Sequence, residues 1–254
     1  MVTEKILTIG GSDILSGGGI QADLATYANY NLYAFMALTS IVTVKEDNFF
    51  VNSVDTKILK DQLESLENIE VSAIKIGLLP NKQILDLTAD FLKNKNAPII
   101  LDPVIVFKEN NDYEVSEIRD LFIEKLLPQA TVITPNLIEA EILSNHKIKN
   151  MSDMKEVAKI LYSFGPKNLV IKGGNRLEQD KAIDLFYDGE EFKILEKAIL
   201  IKNNYGAGCT FASSIASNIA KGVDVYDSVR NAKEFVFQAI KNSNEYGVVQ
   251  NYEC

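Results

Sequence analysis

Short apolar runs alternate with amphipathic stretches along nearly the whole chain, and this alternation limits the possible folds more than any other feature. Residues 5–9, 34–44, 73–79, 98–106, 131–134 and 168–171 are short, β-branched runs without polar interruption at every second position. Strands of this kind are buried on both faces, as in a parallel sheet covered by helices. Between them lie apolar residues at helical spacing: Ile20, Leu24 and Tyr27, then Ile58, Leu59, Leu63 and Leu66, then the segments 82–95, 117–127 and 151–164. The succession predicts a three-layer α/β fold, with a central, mostly parallel sheet and helices on both faces. Residues 182–195 read instead as a hairpin turning at Asp188-Gly189, followed by a strand at 198–202. A last helix carries Val225, Val229, Ala232, Val236 and Ile240, read as core packing. With no repeat, low-complexity tract or linker, residues 1–254 are expected to form a single domain.

Charge and cysteine usage exclude several classes. A net charge of −9 argues against nucleic acid or an anionic membrane as partner. It leaves room for a nucleotide, because a nest of amides, a lysine and a metal ion can hold phosphates locally. The two cysteines, Cys209 and Cys254, form neither a disulfide framework nor a zinc cluster. The start of the chain has no signal-peptide pattern, and no apolar run is long enough to span a bilayer, so the cytoplasm is the expected compartment. The one histidine, His146, falls in a loop-like SNHKIKN, which disfavours histidine-based catalysis.

The stretch from Asn203 to Ala220, NNYGAGCTFASSIASNIA, is the most informative for chemistry. Gly206 and Gly208 flank Ala207 in a turn that feeds a helix with Phe211, Ile215 and Ile219 on one face, and Gly222 stands where a C-terminal glycine belongs. Such a helix start offers unpaired N–H groups and the positive dipole end to an anion. Cys209 in its first turn is expected to have a lowered thiol pKa. The bland alternative is a common Gly-x-Gly turn with a small buried cysteine. Near the start, GGSDILSGGGIQAD also leads into a helix, but its spacing is not the dinucleotide fingerprint. A small polar ligand suits it better, with Asp23 as acceptor, unless Asp23 is only a first-turn carboxylate. Asp102, before Pro103, closes a strand where ligands collect in open sheets, and it fits either Mg²⁺ or a simple turn. Asn136 and Glu139 share a helix face and fit either metal-bound water and phosphate or a capping box. Lys172, Gly173 and Gly174 suit a phosphate-facing loop, and the polar segment 108–114 a flap.

The segments GSDILSGGGIQADL, AIKIGLL, LDPVIV, ITPNLIEAEIL, VIKGG and YGAGCTFASSIA stand in an order that resembles the ribokinase-like superfamily. The nearest branch is that of hydroxymethylpyrimidine kinases and the similar bacterial pyridoxal kinases. The resemblance implies a ribokinase-like fold, ATP and Mg²⁺ as cofactors, and often a homodimer. It implies that Gly206, Ala207 and Gly208 form the anion hole and that Cys209 replaces the usual aspartate base. Lys172, Gly173, Gly174, Asn175, Arg176, Asp184, Gly208 and Asn136 would then lie around ATP, and Asp102 and Glu139 around the metal. Gly11 and Asp23 would face a vitamin-like substrate. Hydroxymethylpyrimidine kinases carry a glutamine after the second strand, and Val44 is expected at that position here, which favours pyridoxal, pyridoxine or pyridoxamine over the aminopyrimidine. Three departures stand out: Ser16 for the usual Gly or Ala, Tyr205 for a frequent His, and Phe107 where some pyridoxal kinases have a cysteine. The competing expectations are the aminopyrimidine kinase, a nicotinamide-dependent oxidoreductase and a non-catalytic vitamin-binding protein.

Overall fold

The computed structural model describes residues 3–46, 48–105, 112–178 and 180–250. The chain runs β1 (Lys5–Asp13), α1 (Gly19–Asn29), β2 (Tyr33–Lys45), β3 (Asn48–Ser53), α2 (Thr56–Ser65), β4 (Ala73–Ile76) and α3 (Lys82–Leu92). It continues through β5 (Ile99–Leu101), α4 (Asp112–Leu121), β6 (Val132–Ile133), α5 (Leu137–Ser144), α6 (Met151–Ser163) and β7 (Leu169–Gly174). β8 (Lys181–Tyr187), β9 (Phe192–Ala198), α7 (Ala207–Ala220) and α8 (Val225–Lys241) complete it. Among the described residues the strands form one sheet in the order β3-β2-β1-β4-β5-β6-β7-β8-β9. Pairing is parallel from β2 through β7 and antiparallel at β3, β8 and β9. This is the mostly parallel α/β sheet that the apolar runs predict.

The pleat explains why those runs are continuous. Successive side chains point to opposite faces, and each face has its own core. Leu7, Ile9, Ile74, Ile76, Ile99, Leu101 and Ile133 pack with α2, α3, α4, α5 and α6. Ile6, Ala73, Ile100, Val132 and Val170 pack on the other face against α1, α7 and α8. Two polar residues of this second face, Thr8 and Lys75, are as buried as their apolar neighbours. Helix α7 is lined with Ala212, Ser213, Ala216 and Ser217, all fully buried, and these small side chains let it lie close to the sheet.

Several boundaries differ from expectation. β1 extends to Asp13, so the first glycine turn begins only after it, and Ser16 there adopts a left-handed φ of 63°. β3 was not expected, because NFFVNS is exposed on the sheet edge and shows no alternation. The strand expected at 198–202 is absent: the chain leaves the sheet after β9, which has no further partner among the described residues, and Ile201 is fully exposed. The helix expected at 117–127 instead starts earlier and passes into a wide turn at Phe122–Leu126. The segment 106–111, with Phe107 and most of the expected flap, lies outside the described residues, as does Cys254.

Candidate active site

The C-terminal ends of β1, β4, β5, β6 and β7 deliver their residues to one edge of the sheet, where α7 begins. Gly206 adopts a φ of +84° at the N-terminus of α7. A Cβ there would fall 1.5 Å from the Gly17 carbonyl oxygen, so no other residue lets the two glycine-rich turns meet. Ala207 N–H donates to the Asn204 carbonyl at 3.1 Å, which corrects the expectation that all of Gly206, Ala207 and Gly208 face an anion with their amides.

Two cavities of about 450 Å³ each meet at this helix start. Asn136, Lys172 and Gly208 border both. The first cavity takes the expected nucleotide residues Gly173, Gly174, Asn175, Arg176 and Asp184. Its other wall is Val236, Phe237 and Ile240 of α8, of which Val236 and Ile240 read from sequence only as core. Asp184 organises this side: it accepts from Gly173 N–H at 3.1 Å and from Lys233 at 2.7 Å. The second cavity takes Gly11, Asp23, Asp102, Glu139, Gly206 and Cys209. Lys172 reaches past Gly208, where even a Cβ would come within 3.3 Å of its Nζ.

Asp102 and Glu139 flank Lys172. The Asp102 carboxylate accepts from Lys172 at 2.6 Å and from Thr134 at 3.0 Å. Burial acts to raise its pKa, but the charges of Lys172 and Lys75 outweigh burial and hold it low. Glu139 closes a capping box, with Oε2 accepting from Asn136 N–H at 2.8 Å, while Asn136 Oδ1 accepts from Ile138 and Glu139 N–H. The side chain borders the second cavity as well, so capping and a place in the site are compatible. Burial, with help from Asp102 and against Lys172, pushes the Glu139 carboxyl up to about 7. Among the described residues no three His, Cys, Asp or Glu side chains converge as a ready metal cage. Two carboxylates beside a lysine fit Mg²⁺, which takes one or two protein oxygens and can fill its shell with phosphate and water.

Three expectations change here. Cys209 has a thiol pKa pushed up to about 11, not lowered: burial dominates, Asp102 and Asp23 add to it, and Lys75 and the Gly19 N–H act against it without cancelling it. A place in the first turn of a helix does not by itself offset the cost of burying a thiolate. Asp23 is fully buried, and its carboxylate is occupied by Lys75 at 2.9 Å, Thr8 at 2.6 Å and Ser213 at 2.5 Å. It holds Lys75 in place more than it offers an acceptor to a ligand. Val44 does not border the cavity; Val42, two residues earlier on the same face of β2, does. A register shift between Gly10 and Gly11 displaces β2 by one residue against β1.

Lys75 was missed, although the signal was present as a charge inside AIKIGLL. A buried lysine needs a carboxylate partner, and Asp23 supplies it. Burial acts to discharge Lys75, but Asp23, with Cys209 and Asp102, keeps its pKa raised. Asp13 was missed too; it accepts from Leu15 and Gly18 N–H at 3.0 and 2.8 Å and so shapes the first glycine turn.

The chain is similar to known proteins over nearly its full length. Residues 13–252 match the family model described as phosphomethylpyrimidine kinase. The pyridoxine kinase of Bacillus subtilis is 41% identical over 97% of this chain and 94% of its own. The solved structure of the pyridoxal kinase from Staphylococcus aureus, in complex with AMP-PCP and pyridoxal, superposes with a TM-score of 0.91 at 37% identity, covering 98% of this chain and 94% of that one. A hydroxymethylpyrimidine/phosphomethylpyrimidine kinase of Aquifex aeolicus is 33% identical over 95% of this chain and 96% of its own. The fold is therefore ribokinase-like, and the chain belongs to the phosphomethylpyrimidine kinase family, in the branch that includes the pyridoxal kinases.

Proposed function

We propose that this protein is an ATP-dependent kinase that phosphorylates the 5′-hydroxymethyl group of pyridoxal, pyridoxine or pyridoxamine. The observation that carries the reading is the party wall at Gly208. A nucleotide-sized cavity with a lysine and a glycine loop lies on one side, and a cavity ending at Cys209 on the other. A phosphoryl group passing between the two would cross at the start of α7. The amides of Gly208 and Cys209 and the Lys172 ammonium would then face its equatorial oxygens, where charge builds in a loose transition state. Mg²⁺, held by Asp102 and Glu139, would supply charge neutralisation at the phosphates. Lys75 keeps positive charge beneath the second cavity, and Asp23 keeps Lys75 oriented.

Cys209 is the candidate base. With a pKa near 11, roughly one thiol in 10⁴ is ionised at pH 7. Positioning and charge stabilisation carry most of the barrier in a loose transition state, so a small thiolate fraction can still support turnover, in proportion to that fraction. The choice of vitamer over aminopyrimidine rests on the wall formed by Val42, Phe49 and Val51, which presents no carboxamide to an exocyclic amine.

ATP consumption with pyridoxal, pyridoxine and 4-amino-5-hydroxymethyl-2-methylpyrimidine, each alone, tests the assignment. Turnover at least tenfold faster with the pyridines supports it, and preference for the aminopyrimidine moves the protein to that sister activity. Silence on all three leaves the non-catalytic reading. A homodimer is part of the same reading, supported by exposed Tyr33, Met36, Ile41 and Phe50 on β2 and β3, and light scattering of the eluted protein checks it. A cytoplasmic setting follows from ATP as co-substrate, and cell fractionation tests it.

A further inference from the structure

One wall of the second cavity comes from the hairpin at the edge of the sheet. The β2–β3 hairpin carries Val42 opposite Val51 in its antiparallel ladder, and both border the cavity together with Phe49. The Phe49 ring stacks on the ring of Tyr205, with centroids 5.7 Å apart and planes inclined by 25°.

Tyr205 is fixed on its remaining sides. Its N–H donates to Asn203 Oδ1 at 3.0 Å, and its carbonyl accepts from Val248 N–H at 3.0 Å. Its ring lies against Gly17, where an added Cβ would come within 2.3 Å of Tyr205 Cδ1. Burial, together with the Asp13 carboxylate that faces the phenol, pushes its pKa up, so the hydroxyl stays a donor. The next residue is Gly206, the first of the anion turn. Phe49 and Tyr205 each remain 37% exposed, and both border the second cavity. A stacked aromatic pair suits a third flat ring in offset or edge contact.

We propose that Phe49 and Tyr205 form an aromatic clasp that grips the flat ring of the alcohol substrate, making both specificity-determining residues and tying substrate capture to the anion turn through the Tyr205 backbone. The inference rests on the kinase reading above and adds the means by which the hairpin takes part in it. An aliphatic alcohol gains nothing from the clasp.

Steady-state kinetics of Phe49→Leu, Tyr205→Leu and the double variant test this, with KM measured separately for the alcohol and for ATP. Each single substitution should raise the alcohol KM about 3- to 10-fold, the scale of one aromatic pair. ATP KM should stay within twofold. The double variant should fall short of the product of the single effects, because each removes the same pair. Tyr205→Phe should restore most of what Tyr205→Leu loses. Parallel rises in both KM values, an unchanged alcohol KM, or strictly multiplicative effects overturn the clasp. If Tyr205→Leu does not fold, Phe49→Leu on the exposed edge strand decides alone. Wild-type preference for the aminopyrimidine would sink the vitamer assignment but not the clasp, which is then read with that equally flat alcohol. An alcohol KM insensitive to Phe49→Leu, in an active enzyme, would sink only the clasp.

Discussion

At Cys209 opposing influences meet at one sulfur, and burial wins over the Lys75 charge and the Gly19 N–H. If the thiolate is the base, kcat should climb about tenfold per pH unit from pH 7 toward 10, without the plateau near pH 7 that a lowered pKa would give. A flat profile over that range would remove Cys209 from the base role. Independently, in a Cys254→Ser background, iodoacetamide should label Cys209 about 100-fold more slowly at pH 8 than a free thiol, matching a shift from 9.0 to about 11. Glu139 offers a second pH test. Its folded pKa is raised from 4.5 to about 7, so its contribution to stability is full below pH 4.5 and is lost as pH rises through 7. The metal-free protein should therefore lose urea stability over that window, and Glu139→Gln should flatten the loss while keeping an acceptor for Asn136 N–H. At this scale the sequence made Asp102, Asn136, Lys172 and Cys209 legible, because each stands at a strand end or helix start. It hid the protonation state of Cys209, which depends on Asp23, Lys75 and Asp102 arriving from three other strands and helices.

Helix α7 is held at both ends by glycines with nearly the same φ and very different surroundings. At its C-terminus Gly222 has a φ of +82° and open space around it. Gly222 N–H bonds to Ile219 O at 2.9 Å and Val223 N–H to Asn218 O at 3.1 Å, a Schellman ending. Gly222→Ala should cost about 1–2 kcal/mol, the penalty of a left-handed residue with a Cβ, and leave kcat alone. Gly206→Ala meets the same penalty plus the Gly17 carbonyl, and kcat should fall at least 100-fold. Equal effects on kcat would mean that the anion turn does not matter for catalysis. Both glycines were readable from position alone. β3 was not, since an exposed edge strand carries no burial pattern, and the strand expected at 198–202 failed because its apolar residues had no neighbouring strand to pair with.

For the whole molecule, the two cores share one sheet, and both cavities open at the same edge of it. Heat should unfold the chain in one transition, in keeping with the single domain expected from its sequence. ADP at 100 times its Kd should add about 2.7 kcal/mol, raising Tm by a few degrees. Two separated transitions, or an ADP shift confined to one of them, would contradict this. The layer architecture was legible because burial on both faces leaves continuous apolar runs; the meeting of two cavities was not, because it depends on how closely α7 approaches the sheet. The absence of a side chain at Gly208 also has a use in ligand design. At Gly208 only backbone stands between the two chambers, so a single molecule joining a nucleoside polyphosphate to a flat alcohol could pass there, beside Lys172. The covalent tether would replace the second binding step by an effective concentration in the millimolar range. Its affinity would then report directly how open that passage stands in solution.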